Sequence, residues 1–95
     1  MLHVLVSSPF KIDCNLTLSM LNPLDSFIGI QDGVFIGLVN NVFIKDFLKF
    51  SFKLYLLKED VIARGITSYI SDQFHLINYA QFIVLTEKYQ KVLNW

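Results

Sequence analysis

The sequence predicts an α/β fold: a small parallel sheet of about four strands flanked by helices. Two observations predict it. Strand-length apolar runs alternate along the chain with segments of helical spacing, the pattern of a parallel sheet joined by right-handed crossovers. The runs are mostly apolar rather than strictly alternating, as in buried strands.

Taken in order, Leu2–Val6 is the first such run, closed by Ser7-Ser8-Pro9. Asp13 is placed to N-cap a helix through about Leu21, with Ile12, Leu16 and Met20 on one stripe and Asn22-Pro23 ending it. Phe27–Ile30 is the second strand and stops at Gln31-Asp32-Gly33. Val34–Val39 is apolar all round, and pattern alone does not separate a buried strand from a buried helix there. After the Asn40-Asn41 turn, Phe43, Ile44, Phe47 and Leu48 have the spacing of a short helix. Phe52–Leu57 is the third strand. Glu59 and Asp60 then open a short helix with Arg64 in its last turn and Gly65 beyond, as the helix dipole and a left-handed C-cap favour. Phe74–Ile77 is the fourth strand. Tyr79, Phe82, Ile83, Thr86 and Tyr89 line one face of a C-terminal helix running toward Trp95.

Residues 1–95 make one domain, with no repeat or linker. A chain of 11.0 kDa buries about 65% of its unfolded surface, enough for one core. The composition exceeds such a core: 54% of residues are apolar, nine are phenylalanine and only 17% are charged, with a mean hydropathy of +0.50. The excess needs a membrane or a partner. A spanning helix requires about 20 apolar residues in a row, whereas Asn40-Asn41 stops the Val34–Val39 run. Leu2 to Val6 follow Met1 with neither a basic n-region nor a cleavage site, which argues against a signal peptide. The lone Cys14 cannot form an internal disulfide. A cytoplasmic protein with an apolar interface is therefore expected. Eight basic residues, seven lysines and Arg64, balance eight acidic ones, which gives no electrostatic footprint for nucleic acid.

Few residues could carry chemistry. Cys14 is the one candidate nucleophile; a helix N-terminus would favour its thiolate, while beside an apolar stripe it also reads as a small core residue. His3 and His75 fall in strands expected to be buried, without a second ligand at metal spacing. A Cys14–His3 dyad would lack an orienting group. Asp32 lies at the carboxyl end of the second strand, where open parallel sheets bind ligands, yet Asp-Gly also reads as a tight turn in which Asp32 caps the next helix. Glu59 and Asp60 are adjacent and so point apart on a helix. No Gly-x-Gly-x-x-Gly or Walker lysine is present, so no nucleotide, metal or other cofactor is expected. Phe27, Phe43, Phe47, Phe52 and Phe82 read mostly as core, and Phe35, Leu38 and Phe43 as candidates for an interface.

Five motifs occur in order. They are Met1-Leu2-His3, Ser8-Pro9-Phe10, Gln31-Asp32-Gly33, the segment Tyr55-Leu56-Leu57-Lys58-Glu59-Asp60-Val61-Ile62-Ala63-Arg64-Gly65, and Ile77-Asn78-Tyr79-Ala80-Gln81-Phe82-Ile83-Val84-Leu85, with Trp95 after them. Together they resemble the TusB/DsrH family of sulfur-relay proteins over essentially the whole chain. The resemblance implies a DsrE/F/H-like fold and a helix at Val34–Val39. It also implies assembly with TusC-like and TusD-like subunits in a heterohexamer, and no small-molecule substrate. That complex takes persulfide sulfur from a TusA-type carrier and passes it to a TusE-like acceptor, for 2-thiolation of wobble uridine in tRNA. The resemblance places the working cysteine on the TusD-like subunit and leaves this chain non-catalytic. Some DsrH relatives carry a cysteine near the positions of Thr17 and Leu18; Cys14 lies earlier and does not take over that role.

Overall fold

The structure is a computed structural model and describes residues 1–13, 16, 19–22, 24–39 and 53–95. Its strands are β1 (Leu2–Leu5), β2 (Ser26–Gly29), β3 (Lys53–Leu57), β4 (His75–Ile77) and β5 (Val92–Asn94). They form one sheet in the order β4-β3-β2-β1-β5, and every pairing is parallel. The first four strands fall where their apolar runs predict. The fifth is an addition: the C-terminal helix ends at Lys88, Tyr89 turns extended, and Val92–Asn94 pairs with β1 from Leu2 to Val4. Main-chain bonds pin it at both ends, Leu2 N to Lys91 O at 3.0 Å and Trp95 N to Val4 O at 2.8 Å.

The crossovers sort the two faces. β1 to β4 step in one direction across the sheet, so right-handed connections lie on a single face; the return from β4 to β5 crosses the other. On the first face Leu5, Phe27, Leu54 and Leu56 pack with Val34, Ile36, Val61 and Phe74. The covering pieces include a 3₁₀ helix, Gln31–Gly37, and α1 (Lys58–Ala63). The ambiguous Val34 segment is thus helical, in the tighter 3₁₀ form, with Gly33, Val34, Ile36 and Gly37 all buried. On the second face Leu2, Val4 and Ile28 pack with Leu85 of α2 (Tyr79–Lys88).

Local chemistry accounts for the helix ends. Asp13 Oδ1 accepts from the Leu16 amide at 3.1 Å, as an N-cap should. Arg64 closes α1 and Gly65 follows with φ of 66°, the left-handed position that glycine adopts without strain. Asn78 and Gln81 form a reciprocal capping box at the start of α2. The inward stripe of α2 is Phe82, Leu85 and Tyr89, whereas Tyr79 and Ile83 face out. Leu16 and Met20 are also exposed rather than core. Phe27 is fully buried and Phe82 partly so. Phe35 and Leu38 are half-buried. Cys14, Phe43, Ile44, Phe47, Leu48 and Phe52 lie outside the described residues.

At the turn after β2 the backbone passes against β1. A Cβ on Gly33 would stand 1.9 Å from the Leu5 carbonyl oxygen, a backbone atom that cannot swing aside. Gly33→Ala is expected to cost about 3 kcal/mol or more and to lower the thermal midpoint by roughly 10 °C or more, read by calorimetry.

Candidate functional site

Two polar clusters organise the molecule, one buried and one exposed. The buried cluster centres on Asp25, just ahead of β2, and His3 of β1. Both are almost completely buried. His3 Nε2 lies 2.7 Å from Asp25 Oδ2, and the indole Nε1–H of Trp95 donates to His3 Nδ1 at 3.1 Å. An indole nitrogen only donates, so Nδ1 is the acceptor, and the ring is held as the tautomer whose Nε2–H donates to Asp25. The rings of His3 and Trp95 stack, with centroids 6.2 Å apart. Asp25 also accepts from the Met1 amino group at 3.1 Å and the Asn22 amide at 3.3 Å.

Burial alone would raise the Asp25 carboxyl. The His3 hydrogen bond, the Met1 amino group and the Asn22 amide outweigh it and hold the group below its ordinary 3.8. The Cys14–His3 dyad loses its base, because both ring nitrogens of His3 already have partners. The core reading of His3 holds, whereas the expectation of a buried His75 is corrected. β4 is an edge strand, and His75 is exposed beside the Tyr55 ring, with centroids 5.9 Å apart.

The exposed cluster lies at the carboxyl end of the sheet, where the Gln31-Asp32-Gly33 and Glu59–Gly65 motifs meet. Arg64 donates from Nε and Nη2 to Asp32 Oδ1 at 3.1 and 3.0 Å, and from Nη1 to the Asp60 carbonyl at 3.3 Å. Asp60 Oδ2 accepts from the Gln31 amide at 2.7 Å; among the described residues Gln31 is the one non-glycine residue with positive φ, 50°. Glu59 Oε2 accepts from the Tyr79 amide at 3.0 Å, at the start of α2. Asp32 is therefore not a helix cap, as the Asp-Gly reading allowed, but the acceptor of a guanidinium. Glu59 and Asp60 do diverge, each to tie α1 to a different neighbour. Among the described residues no group of three His, Cys, Asp or Glu side chains could hold a metal ion, and no helix is long and apolar enough to cross a membrane.

These motifs agree with a comparison to known proteins. The DsrH like protein family matches residues 7–92. The chain belongs to that family. Proteins named TusB are 50% identical in Buchnera aphidicola of Acyrthosiphon pisum and 37% identical in Escherichia coli K12, each over all of both chains. The solved structure of YchN from E. coli aligns over 98% of this chain and 97% of its own, with a TM-score of 0.76 at 17% identity. Tm0979 of Thermotoga maritima aligns over 96% and 97%, with a TM-score of 0.67 at 32% identity. The DsrE/F/H-like fold expected from the sequence is the one observed.

Asp25 was not legible in the sequence as a site residue. It sits between Leu24 and Ser26 without an apolar or catalytic pattern, and its partners besides the Asn22 amide are His3 of β1 and the Met1 amino group, more than twenty residues away in sequence. The two clusters should respond differently to mutation. Asp25→Ala strands the buried His3 donor, removes the partner of the Met1 amino group and Asn22 amide, and is expected to cost about 3 kcal/mol in urea unfolding. Arg64→Ala breaks a partly exposed pair and is expected to cost under about 1 kcal/mol. Because the Asp25 carboxyl is lower in the folded state, its contribution is complete above pH 3.8 and is lost as the pH falls through the folded value. Wild type should lose this stability over that acid range, and Asp25→Ala should show a shallower loss in pH-resolved unfolding.

Proposed function

We propose that the protein is a sulfur-relay subunit for tRNA thiolation, acting in an assembly with TusC-like and TusD-like subunits and serving a TusE-like acceptor. The observation that carries this is the full-length match to proteins named TusB. In this reading the complex carries persulfide sulfur toward 2-thiouridine at the wobble position, in the cytoplasm. The role of this chain is structural: it completes the heterohexamer while another subunit supplies the reacting thiolate.

The described polar side chains support that role. The buried histidine and aspartate hold the ends of strands together, and the motif carboxylates hold α1 against its neighbours. No buried polar side-chain atom among the described residues is left without a partner to offer a substrate. Apolar residues that a monomer would hide stand outside, among them Phe10 at 68% and Leu24 at 89% exposure.

Co-expression with TusC-like and TusD-like subunits should convert a self-associating protein into a soluble, defined complex on size exclusion; a well-behaved monomer that ignores them would overturn the proposal. In the reconstituted relay Cys14→Ser should leave tRNA thiolation unchanged. Loss of thiolation, with one sulfur gained at Cys14 by mass spectrometry, would instead make this chain a persulfide carrier.

A further inference from the structure

The two faces of the sheet are covered unequally. Among the described residues the 3₁₀ helix Gln31–Gly37 and α1 pack on the first face, and α2 is the sole helix on the second. A helix about 10 Å across covers roughly two strands spaced about 4.8 Å apart. α2 does this over β1 and β2, where Leu2, Val4 and Ile28 are at most 3% exposed. Toward β3 and β4 the same face stays open. Tyr55 and Ile77 are half-buried there, and Val84 of α2 is 55% exposed. Between them lies a depression of about 160 Å³ lined by Tyr55, Ile77, Gln81, Val84, Leu85 and Lys88. Parallel sheets are almost always covered on both faces, and the described residues leave about a helix's width of this face without cover.

Charge says what would supply it. Lys53 lies two residues before Tyr55 in β3 and so shares its face. Lys88 ends α2, which runs back toward the amino end of the strands, where β3 begins. His75 stands beside Tyr55 on the same face. Lys53 and Lys88 are exposed and make no ion pair in the described structure. The trough therefore has a largely apolar floor and a basic margin, and none of its described lining residues is a carboxylate.

We propose that this trough docks an amphipathic helix of a partner subunit, with apolar residues laid on Tyr55, Ile77 and Val84 and acidic residues set against Lys53 and Lys88. A second copy presenting the same face would bring lysine against lysine, so the occupant is a different chain. The proposal rests on the relay reading only for the identity of that chain, a TusC-like or TusD-like subunit.

The test measures binding of the full chain to the purified TusC-like and TusD-like subunits by titration calorimetry. Val84→Asp and Lys88→Glu should each weaken binding at least about tenfold, and the Lys88 effect should fade as salt is raised. Ile62→Asp, on the exposed side of α1, should leave binding unchanged. Normal binding by both trough variants overturns the docking proposal and leaves the relay reading intact. If wild type binds neither subunit, the relay reading falls. The trough is then probed with a synthetic leucine–glutamate amphipathic helix: shifts of the Tyr55 and Val84 amide resonances support docking, and their absence overturns it. A homodimer disrupted by Val84→Asp overturns it as well.

Discussion

Asp25 is the group on which the rest of the structure depends. One buried carboxylate receives the imidazole of β1, a main-chain amide from the connection before β2, and the amino group of Met1. Through His3 it also governs the indole of Trp95. A carboxylate this deeply buried is tolerable only when its charge is matched and its lone pairs are filled. Meeting that requirement fixes the register of β1 against β2 and the place where β5 must end. Ser26, the next residue, is itself tied through its hydroxyl to Tyr89 at the close of α2. Two adjacent polar residues thus tie β2 to β1 and the chain's amino end on one side and to the end of α2 on the other.

What could be read from the sequence follows from which forces are local. β1 to β4 and both helices announced themselves, because burial on two faces and helical periodicity are written in neighbouring residues. β5 did not. Val92-Leu93-Asn94 is too short and too polar to stand out as an apolar run, and its strand geometry comes from the main chain of β1. The 3₁₀ form of Gln31–Gly37 was equally hidden, since it is set by the approach of Gly33 to the Leu5 carbonyl. His75 reads as buried in an apolar run, yet an edge strand has one side with no neighbour.

The polar residues divide in the same way. Asp13 as an N-cap was legible because its acceptor role is settled three residues on. The Asp32–Arg64 pair was not, because the crossover from β2 to β3 must form before these residues meet. The motifs that gave away the family are thus largely joints. Gln31, Glu59, Asp60 and Arg64 lock the ends of β2, β3 and β4 together.

The pairing of β5 with β1 has a kinetic side. Strands β1 to β4 can zip in the order of synthesis, each beside its predecessor. The partner on the open flank of β1 comes from the opposite end of the sequence, and closing so long a loop is slow. Until then β1 presents an unpaired edge of Leu2-His3-Val4-Leu5, with the His3 ring lacking its indole. During translation that edge is a sticky strand awaiting its last neighbour, and its apolar residues, later part of the core, are at that stage an aggregation hazard.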